Sequence, residues 1–285
     1  TYKIFGMNIF DSLTHSMTTI ATGGFSNYNE SIGYFNSLPI EISSMVFIIL
    51  GSLPFIAYIK FLNGDRKIFT SDVQIRSFIK IIIFSIIILL IYLFFQDNNF
   101  SQINIRKVFF NVISILTGTG YVTGEFDGWG NFPLIFFLIL MFIGGCAGST
   151  TCGIKIFRLQ IIYYNSKETI GKLISPNRVI NKKYNGEHIS QEITQSVITF
   201  LFIFIVTFII LSALLSFTGL DLITSFSAAA TSISNVGPGL GSMIGPSYNF
   251  YEISDIGKWL LSAGMLAGRL EFLTLIVVFN RAFWK

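Results

Sequence analysis

Five long apolar runs dominate the chain, and shorter polar clusters separate them. The runs lie at 39–62, 78–95, 132–164, 193–217 and 256–283. An α-helix needs roughly 20 predominantly apolar residues to cross the hydrocarbon core of a bilayer, and each run comes near that length or exceeds it. The pattern therefore predicts an all-α membrane protein whose helices cross the bilayer at these five positions.

Three segments between the runs share a second pattern, a half-apolar stretch that ends in a Thr/Ser/Gly cluster. They lie at 10–26, 108–123 and 225–241. When Gly23, Gly120 and Gly237 are aligned, about 12 apolar or small residues precede each glycine, and a helix of that length spans only about 18 Å. Each segment therefore predicts a re-entrant half-helix. Non-helical backbone at membrane depth is tolerated only where it is buried or lines a watery cavity, so repeated hairpins predict a pore.

Composition and charge agree with a lipid environment. Hydrophobic residues make up 52% of the chain and charged residues 12%, with a mean hydropathy of +0.67. Soluble domains carry about 25% charged residues, so the charged residues of this chain are too few to cover a water-facing surface. The net charge of +4 could suggest nucleic acid, but the basic residues cluster in the loops at 60–80 and 155–183. This asymmetry places those loops in the cytoplasm, and we expect no nucleic-acid partner.

The three glycine clusters suit a monovalent cation. In a selectivity filter, backbone carbonyls replace the hydration shell of the ion, and glycine permits the dihedral angles that this requires. The C-terminal carbonyls of each half-helix add a partial negative charge. The clusters hold no carboxylate, which disfavours Ca²⁺. The alternative to a filter is that these glycines only form turns in loops or allow helices to pack closely. The candidate filter residues are Ala21, Thr22, Gly23, Gly118, Thr119, Gly120, Asn235, Val236 and Gly237.

The run at 132–164 is too long for one span and is interrupted by a glycine-rich stretch at 144–153. We expect a non-helical intramembrane loop there, below the filter and able to block conduction; a static kink packed through small residues is the alternative. The candidate gate residues are Gly144, Gly145, Gly148, Ser149, Thr150, Thr151 and Gly153. Cys146 and Cys152 have no His or carboxylate beside them in sequence, so they are interpreted as small apolar fillers.

Arg269 carries the most costly charge in the apolar runs. A charged side chain at mid-membrane costs from about 3 kcal/mol to over 10 kcal/mol, so it usually faces a polar interior and has a function. Pairing with helix-end carbonyls for structure alone is the alternative. Glu271, two residues on, points to a different helix face and need not be its partner. His15, in the first half-helix, predicts packing or hydrogen bonding behind the filter rather than a proton relay.

Several of these motifs resemble one known family. Thr-Gly-Gly-Phe at 22–25, Thr-Gly-Tyr at 119–121 and Asn-Val-Gly-Pro-Gly-Leu-Gly at 235–241 resemble the filter loops of the Trk/Ktr/HKT superfamily of potassium transporters. The segment 265–271 resembles the signature of that family's last membrane helix. The segment 173–179 resembles a cytoplasmic loop of the bacterial Trk membrane subunit, so the chain is most similar to that type. The resemblance covers nearly the whole chain.

The resemblance implies a fold of four linked repeats of helix, pore half-helix and helix around a pseudo-fourfold pore, with one broken transmembrane helix. This chain would supply repeats two to four, with a first repeat expected upstream. Residues 1–62 would hold the half-helix, filter and inner helix of the second repeat. Residues 63–166 would form the third repeat with the broken gate helix, 167–190 a cytoplasmic basic loop, and 191–285 the fourth repeat.

The resemblance also implies K⁺ uptake across the cell inner (cytoplasmic) membrane, with K⁺ as the transported ion and no organic cofactor. The expected K⁺ sites are Ala21, Thr22, Gly118, Thr119, Asn235 and Val236. The 144–153 loop would be the gate and Arg269 a barrier to K⁺ below the filter. The expected partners are the lipid bilayer, a second copy in a homodimer and a cytosolic nucleotide-binding regulatory subunit, for which the basic loop is a candidate docking surface.

Two other functions are weighed against conduction. A Na⁺- or H⁺-coupled symporter of the same architecture would bind its substrate between broken helices, but it would need more ionisable residues than the spans provide. An intramembrane enzyme using Ser149, His15 or a cysteine would need a base and an orienting group within reach of the nucleophile. The chain has only two histidines, so we expect a transporter and not an enzyme.

Overall fold

The computed structural model describes residues 1–96, 102–175, 183–269, 277 and 281–284, and nearly all regular structure in them is helical. A two-residue antiparallel hairpin is the exception there. The expected all-α class is confirmed. In chain order the elements are α1 (Ile9–Ile20), α2 (Leu38–Gly51), α3 (Phe55–Leu62), α4 (Ile68–Ser71), α5 (Val73–Gln96), α6 (Gln102–Leu116), α7 (Asn131–Phe142), α8 (Ile156–Ile174), β1 (Lys183–Tyr184), β2 (Glu187–His188), α9 (Gln191–Phe217), α10 (Leu222–Ser234) and α11 (Asp255–Arg269).

Two helices in the described part of the chain, α5 and α9, are long and apolar enough to cross a membrane by themselves. Only 28% of the most apolar window of each is buried, so most of their apolar side chains face outward. Phe84 and Phe202, for example, are 65% and 67% exposed. In water such a surface would be strongly unfavourable, whereas in a bilayer it faces lipid. These two helices therefore correspond to the runs predicted at 78–95 and 193–217.

The run at 39–62 was expected to be one continuous span, and this expectation is wrong. The structure ends α2 at Gly51 and starts α3 at Phe55, and the two helices are bent by 87°. The physical reason lies in Pro54, the N-cap residue of α3. Proline has no N–H to continue the helical hydrogen bonds and disfavours helical dihedral angles in the residue before it. The chain therefore contains a second broken helix besides the expected one.

The broken helix expected within 132–164 is confirmed. Helix α7 ends at Phe142 and α8 begins at Ile156, with non-helical chain between them. Helix α8 continues to Ile174, so the basic loop expected at 167–190 starts within this helix and contains the small hairpin β1–β2. Residues 176–179 of the cytoplasmic motif, and Glu271 in the run at 256–283, lie outside the described residues.

The three half-helices predicted from the glycine clusters are also present. Helices α1, α6 and α10 have 12, 15 and 13 residues, and each ends where its glycine cluster begins. Side chains cap two of their N-termini: Asn8 accepts a hydrogen bond from Asp11 N at 2.7 Å, and Asp221 accepts one from Thr224 N at 3.3 Å. These caps satisfy amides that a helix leaves without partners at its start.

A buried ion pair joins α2 to the half-helix α6. Arg106 Nε lies 2.9 Å from Glu41 Oε2, and the Glu41 side chain is only 1% exposed. The guanidinium also donates to Asn36 Oδ1 at 2.8 Å. The Arg–Glu contact lies outside hydrogen-bond geometry, so it acts mainly as a charge contact. Because Glu41 is buried, its charge depends on Arg106 for compensation.

We expect Arg106→Gln to destabilise the full-length protein by about 3 kcal/mol, because it removes the nearest counter-charge of the buried Glu41 carboxylate and leaves only the more distant Lys107. The double variant Arg106→Gln/Glu41→Gln should recover most of the loss, since it removes both charges. Thermal unfolding of the three proteins in the same detergent measures the difference. Equal destabilisation of the single and double variants would show that the ion pair does not matter.

Candidate ion pathway

The three half-helices end in the same backbone motif. An amide two or three residues after the end of each helix donates to a carbonyl five residues earlier, as in a Schellman motif. The pairs are Gly23 N to Thr18 O at 2.8 Å, Thr119 N to Ser114 O at 2.9 Å and Val236 N to Thr231 O at 3.0 Å. The residue before each amide is left-handed, with φ of 47° at Thr22, 69° at Gly118 and 52° at Asn235. Three separate segments thus turn out of their helices in the same way.

A second left-handed residue follows two positions later in each segment. These residues are Gly24, Gly120 and Gly237, with φ of 65°, 83° and 118°. The alternation makes Gly24, and not Gly23, the equivalent of Gly120 and Gly237. The sequence alignment through Gly23 was therefore wrong by one residue. The pattern Thr-Gly-Gly offers two glycines, and a left-handed β-branched residue such as Thr22 is too rare to be expected from sequence.

Adjacent glycine-bearing loops pack backbone against backbone. A Cβ atom added to Gly24 would collide with the carbonyl oxygen of Thr119, and one added to Gly120 would collide with the carbonyl oxygen of Val236. The first loop thus lies against the second and the second against the third, in the same register. The residues brought together in these loops are the predicted ones: Ala21, Thr22, Gly23, Gly118, Thr119, Gly120, Asn235, Val236 and Gly237. We call 21–24, 118–120 and 235–237 the filter loops.

Tyr121 ties the second filter loop to the first half-helix. Its hydroxyl donates to the His15 carbonyl at 3.1 Å and also contacts the Thr18 hydroxyl. His15 is fully buried; its Nδ1 lies 2.8 Å from the Asp11 carbonyl and its Nε2 3.0 Å from Ser26 Oγ. These contacts agree with the expected packing and hydrogen-bonding role of His15 behind the filter. Tyr121 was not singled out from the sequence beyond its place in a motif.

The loop that follows the first filter loop is braced by the same half-helix. The Asp11 carboxylate accepts a hydrogen bond from the Tyr28 hydroxyl at 2.9 Å and one from Asn27 Nδ2 at 2.8 Å. The bond to Asp11 raises the pKa of Tyr28 to about 12. Tyr28 therefore stays protonated at physiological pH and keeps donating to Asp11.

The glycine-rich segment 144–153, which we call the gate loop, is closed at its base by backbone hydrogen bonds. Gly144 N donates to Ile154 O, and Ile154 N donates to Phe142 O, both at 2.9 Å. Among the residues between, Gly148 and Gly153 are left-handed, with φ of 75° and 76°. Such dihedral angles are readily available to glycine and unfavourable for other residues. The clustered glycines thus allow a compact non-helical loop between α7 and α8.

The gate loop lies in the bend between α2 and α3. Cys146 N donates to Ser52 O at 3.1 Å, and Phe55 N donates to Gly148 O at 2.8 Å. Thr150 N donates to Gly51 O at 3.3 Å. The last carbonyls of a helix have no partner within it, and here the gate loop supplies partners. The bend that the sequence analysis missed is therefore the place where the gate loop is held.

Thr150 brings the gate loop to the base of the first filter loop. Its hydroxyl lies 3.0 Å from Thr22 Oγ1 and 3.2 Å from the Ile20 carbonyl. Thr22 is the left-handed residue at which this filter loop leaves α1. The gate loop is thus in direct contact with the end of α1 and with the residue at which the chain leaves that half-helix.

Arg269 contacts the gate loop from the opposite side. Its Nη1 donates to the Thr150 carbonyl at 3.4 Å and to Cys152 Sγ at 2.5 Å. Helix α11 is held close to the third half-helix, because a Cβ on Gly268 would collide with the Ile233 carbonyl. A cavity of about 650 Å³ is bordered by Arg269, by Cys152 and by residues of the first and third filter loops. Arg269 therefore places a positive charge beside both the gate loop and this cavity.

Comparison with known proteins identifies the family. The TrkH cation transport protein family matches residues 4–285 of this chain. The chain belongs to the TrkH family. The Trk system potassium uptake protein TrkI of Halomonas elongata is 39% identical over 285 residues, which are all of this chain and 58% of that protein. TrkH of Escherichia coli K12 is 33% identical over 98% of this chain and 58% of its own length.

A solved TrkH structure confirms the fold. The crystal structure of the potassium transporter TrkH from Vibrio parahaemolyticus matches with a TM-score of 0.92 and 32% identity, covering 100% of this chain and 61% of that one. The expected family and its architecture of repeated half-helix units are thus confirmed, and membership of a TrkH transporter family places the chain in a membrane. The chain spans 58% of the length of the two curated relatives named above.

The register of the filter loops leads to a test within the TrkH family fold. Gly24→Ala should reduce cation flux through the full-length protein on the order of tenfold or more, because its Cβ would displace the Thr119 carbonyl and its φ is unfavourable for alanine. Gly23→Ala is the matched control: its Cβ would be in ordinary van der Waals contact with the Phe25 ring, at 3.4 Å, and with the Thr18 carbonyl oxygen, at 3.8 Å. We expect Gly23→Ala to keep flux within about twofold of the wild type. Flux into liposomes measures both, and a reversed order would refute the register.

Proposed function

We propose that the complete protein takes up K⁺ across the cell inner membrane through a filter of backbone carbonyls, and that the gate loop controls the flow. The observation that carries this proposal is the common register of the three filter loops, each with left-handed residues at two alternate positions. A regular strand turns successive peptide groups to opposite sides. Alternating left- and right-handed residues removes that reversal and lets consecutive carbonyls face one side, as a cation requires.

The chemistry of the filter loops favours a monovalent cation. In the register of the structure, Ala21 of the sequence-based set corresponds to Thr117 and Ser234. The proposed K⁺ ligands in that register are oxygens of Thr22, Gly23, Gly118, Thr119, Asn235 and Val236. No carboxylate lies among them, and the described residues contain no cluster of three or more His, Cys, Asp or Glu suited to a metal ion. Three half-helices end at the filter loops, where their C-termini add partial negative charge. The names of the curated relatives support K⁺ as the transported ion.

Gly237→Ser tests the selectivity proposal. A Cβ added to Gly237 would have space, since its nearest neighbour would be Gly120 Cα at 3.7 Å, but the φ of 118° is unfavourable for any side chain. Serine there should shift the third filter loop and reduce K⁺-over-Na⁺ discrimination. Reversal potentials of the full-length protein under mixed K⁺ and Na⁺ gradients measure the effect. Unchanged discrimination in the Gly237→Ser variant would argue against the filter assignment. The same measurement on the wild-type protein tests the alternative function. A reversal potential that follows an imposed pH or Na⁺ gradient would favour ion-coupled symport.

The gate loop and Arg269 form the proposed barrier below the filter. The proposed gate residues are Gly144, Gly145, Gly148, Ser149, Thr150, Thr151 and Gly153. Arg269 repels a cation through its charge and holds the loop through Thr150 and Cys152. Ser149 does not support the enzyme alternative, since its hydroxyl bonds to the Cys146 carbonyl at 2.6 Å and the Thr151 hydroxyl at 2.7 Å, and neither is a base.

Replacing Arg269 separates its charge from its contacts. Arg269→Ala should raise K⁺ flux, because it removes both the charge and the bonds to the gate loop. Arg269→Lys keeps the charge and should keep flux close to the wild-type value if the charge is the barrier. Lys258→Ala is the matched control, since Lys258 lies on the same cavity and its nearest charged partner is Asp255, at 3.7 Å. An equal rise for Lys258→Ala and Arg269→Ala would contradict a barrier located at the gate loop.

The proposed partners follow from the family and from the cytoplasmic end of α8. Leu173 and Ile174 are 79% and 78% exposed there, near Lys167 and Lys172. An exposed apolar patch rimmed by basic residues suits a protein partner or a lipid surface. We propose that a cytosolic nucleotide-binding regulatory subunit docks at this end, that the complete protein forms a homodimer, and that the chain itself needs no organic cofactor and acts as a transporter rather than an enzyme.

A further inference from the structure

The gate loop has another anchor, on the side of α5. The amide of Ala147, near the middle of the gate loop, donates to Gln74 Oε1 at 2.5 Å. Gln74 lies in the first turn of α5 and is only 7% exposed. A bond to a buried acceptor is costly to break, because the amide and the acceptor would both then need other partners. Gln74 therefore holds the gate loop independently of Arg269 and of the bend between α2 and α3.

The position of Gln74 is set by the two residues before it. Asp72 Oδ1 caps α5 by accepting from Gln74 N at 2.8 Å and from Ile75 N at 3.1 Å. Two side chains from later in the chain bind the backbone amide and carbonyl of Val73. Its amide donates to Asn185 Oδ1 at 3.0 Å, and its carbonyl accepts from Gln160 Nε2 at 3.1 Å. A shift of these side chains would therefore move the start of α5 and Gln74 with it.

Asn185 bridges the hairpin β1–β2 to the start of α5. It occupies the turn of the hairpin with φ of 48°, and its Nδ2 also donates to Asp72 Oδ2 at 2.8 Å. One amide side chain thus binds two adjacent residues, Asp72 and Val73. The hairpin itself is fastened to α8, because the Tyr184 ring packs edge-on against Phe157 with centroids 5.0 Å apart.

We propose that the hairpin 183–188 and Gln74 form a mechanical link through which the basic loop at 167–190 sets the resting position of the gate loop. Gln74 is the latch, and Asn185 is a positioning residue that acts through Asp72 and Val73. The path is a contiguous series of hydrogen bonds from the hairpin turn to Ala147, and the loop that it holds is rich in glycine, so it has the freedom to move. The link rests on the proposed gating role of the loop.

A thiol in the gate loop reports its opening without reference to the ion. Cys146 is fully buried and lies beside Ala147, so its reaction with N-ethylmaleimide requires the loop to move. The rate of modification is measured by mass spectrometry of the Cys146 peptide, using the full-length protein in liposomes. Because this reading does not depend on conduction, it separates a failure of the link from a failure of the proposed function.

Gln74→Met keeps the length of the side chain but replaces the amide oxygen with a thioether sulfur, which is a much weaker acceptor for the Ala147 amide. We expect it to raise the modification rate of Cys146 by roughly three- to tenfold, the effect of one lost hydrogen bond. Gln74→Glu keeps an acceptor oxygen and should stay near the wild-type rate. Gln195→Met, at an exposed position on α9, is the matched control and should have no effect. A wild-type rate for Gln74→Met, or equal rates for Gln74→Met and Gln74→Glu, would overturn the latch.

Asn185→Gly tests the other end of the link. Glycine keeps the left-handed turn but removes both amide bonds, so the Cys146 rate should rise in the same direction as for Gln74→Met. The double variant should not exceed Gln74→Met alone, since both changes act on one contact. His188→Gln, an exposed change in the same hairpin, should leave the rate unchanged. Additive effects would overturn the link. Faster modification without a change in ion flux would keep the link and reject the gating role of the loop.

Discussion

The structure depends on direct backbone contact between neighbouring filter loops. The carbonyls of Thr119 and Val236 lie so close to Gly24 and Gly120 that no side chain fits between them. Glycine at these two positions is therefore required by distance as well as by dihedral angle. The half-helices must then end at one depth and leave their last turns in one conformation, which the shared Schellman motif achieves. Small shifts in any half-helix would change the spacing of the carbonyls.

The surrounding helices enclose the filter loops and hold the gate loop in place. The outward apolar faces of α5 and α9 are suited to lipid, while the half-helices α6 and α10 are mostly buried and α1 leaves one apolar face exposed. The bend at Pro54 leaves the Gly51 and Ser52 carbonyls without helical partners, and the gate loop binds them. The gate loop is thus held by four elements at once: the α2–α3 bend, the end of α1 with the first filter loop, the start of α5 and Arg269 at the end of α11. Among the described residues, the bend contributes four hydrogen bonds, the end of α1 with the first filter loop two, the start of α5 one and Arg269 two, so a small number of bonds must break for the loop to move.

Much of this arrangement could be predicted from the sequence, because lengths and periodic patterns carry the information. Apolar runs of spanning length, half-helices too short to cross and the glycine interruption at 144–153 all depend on local composition. The equivalence of Gly24 with Gly120 could not be predicted, since Thr22 adopts a left-handed conformation only because its tertiary surroundings impose it. The proline at position 54 is a local signal for the bend, but the length of the apolar run 39–62 favoured a single span. The contacts of Gln74 and Asn185 join residues far apart in sequence, and no pattern in a single chain indicates them.

The most direct test of the account is the position of a heavy potassium analogue in the full-length protein. Crystals grown with Rb⁺ and measured at its absorption edge would locate the ion by anomalous scattering. We predict Rb⁺ peaks at the level of residues 22–24, 118–120 and 235–237, between the carbonyls of the filter loops. Rb⁺ bound elsewhere, with these loops away from any shared axis, would contradict the account.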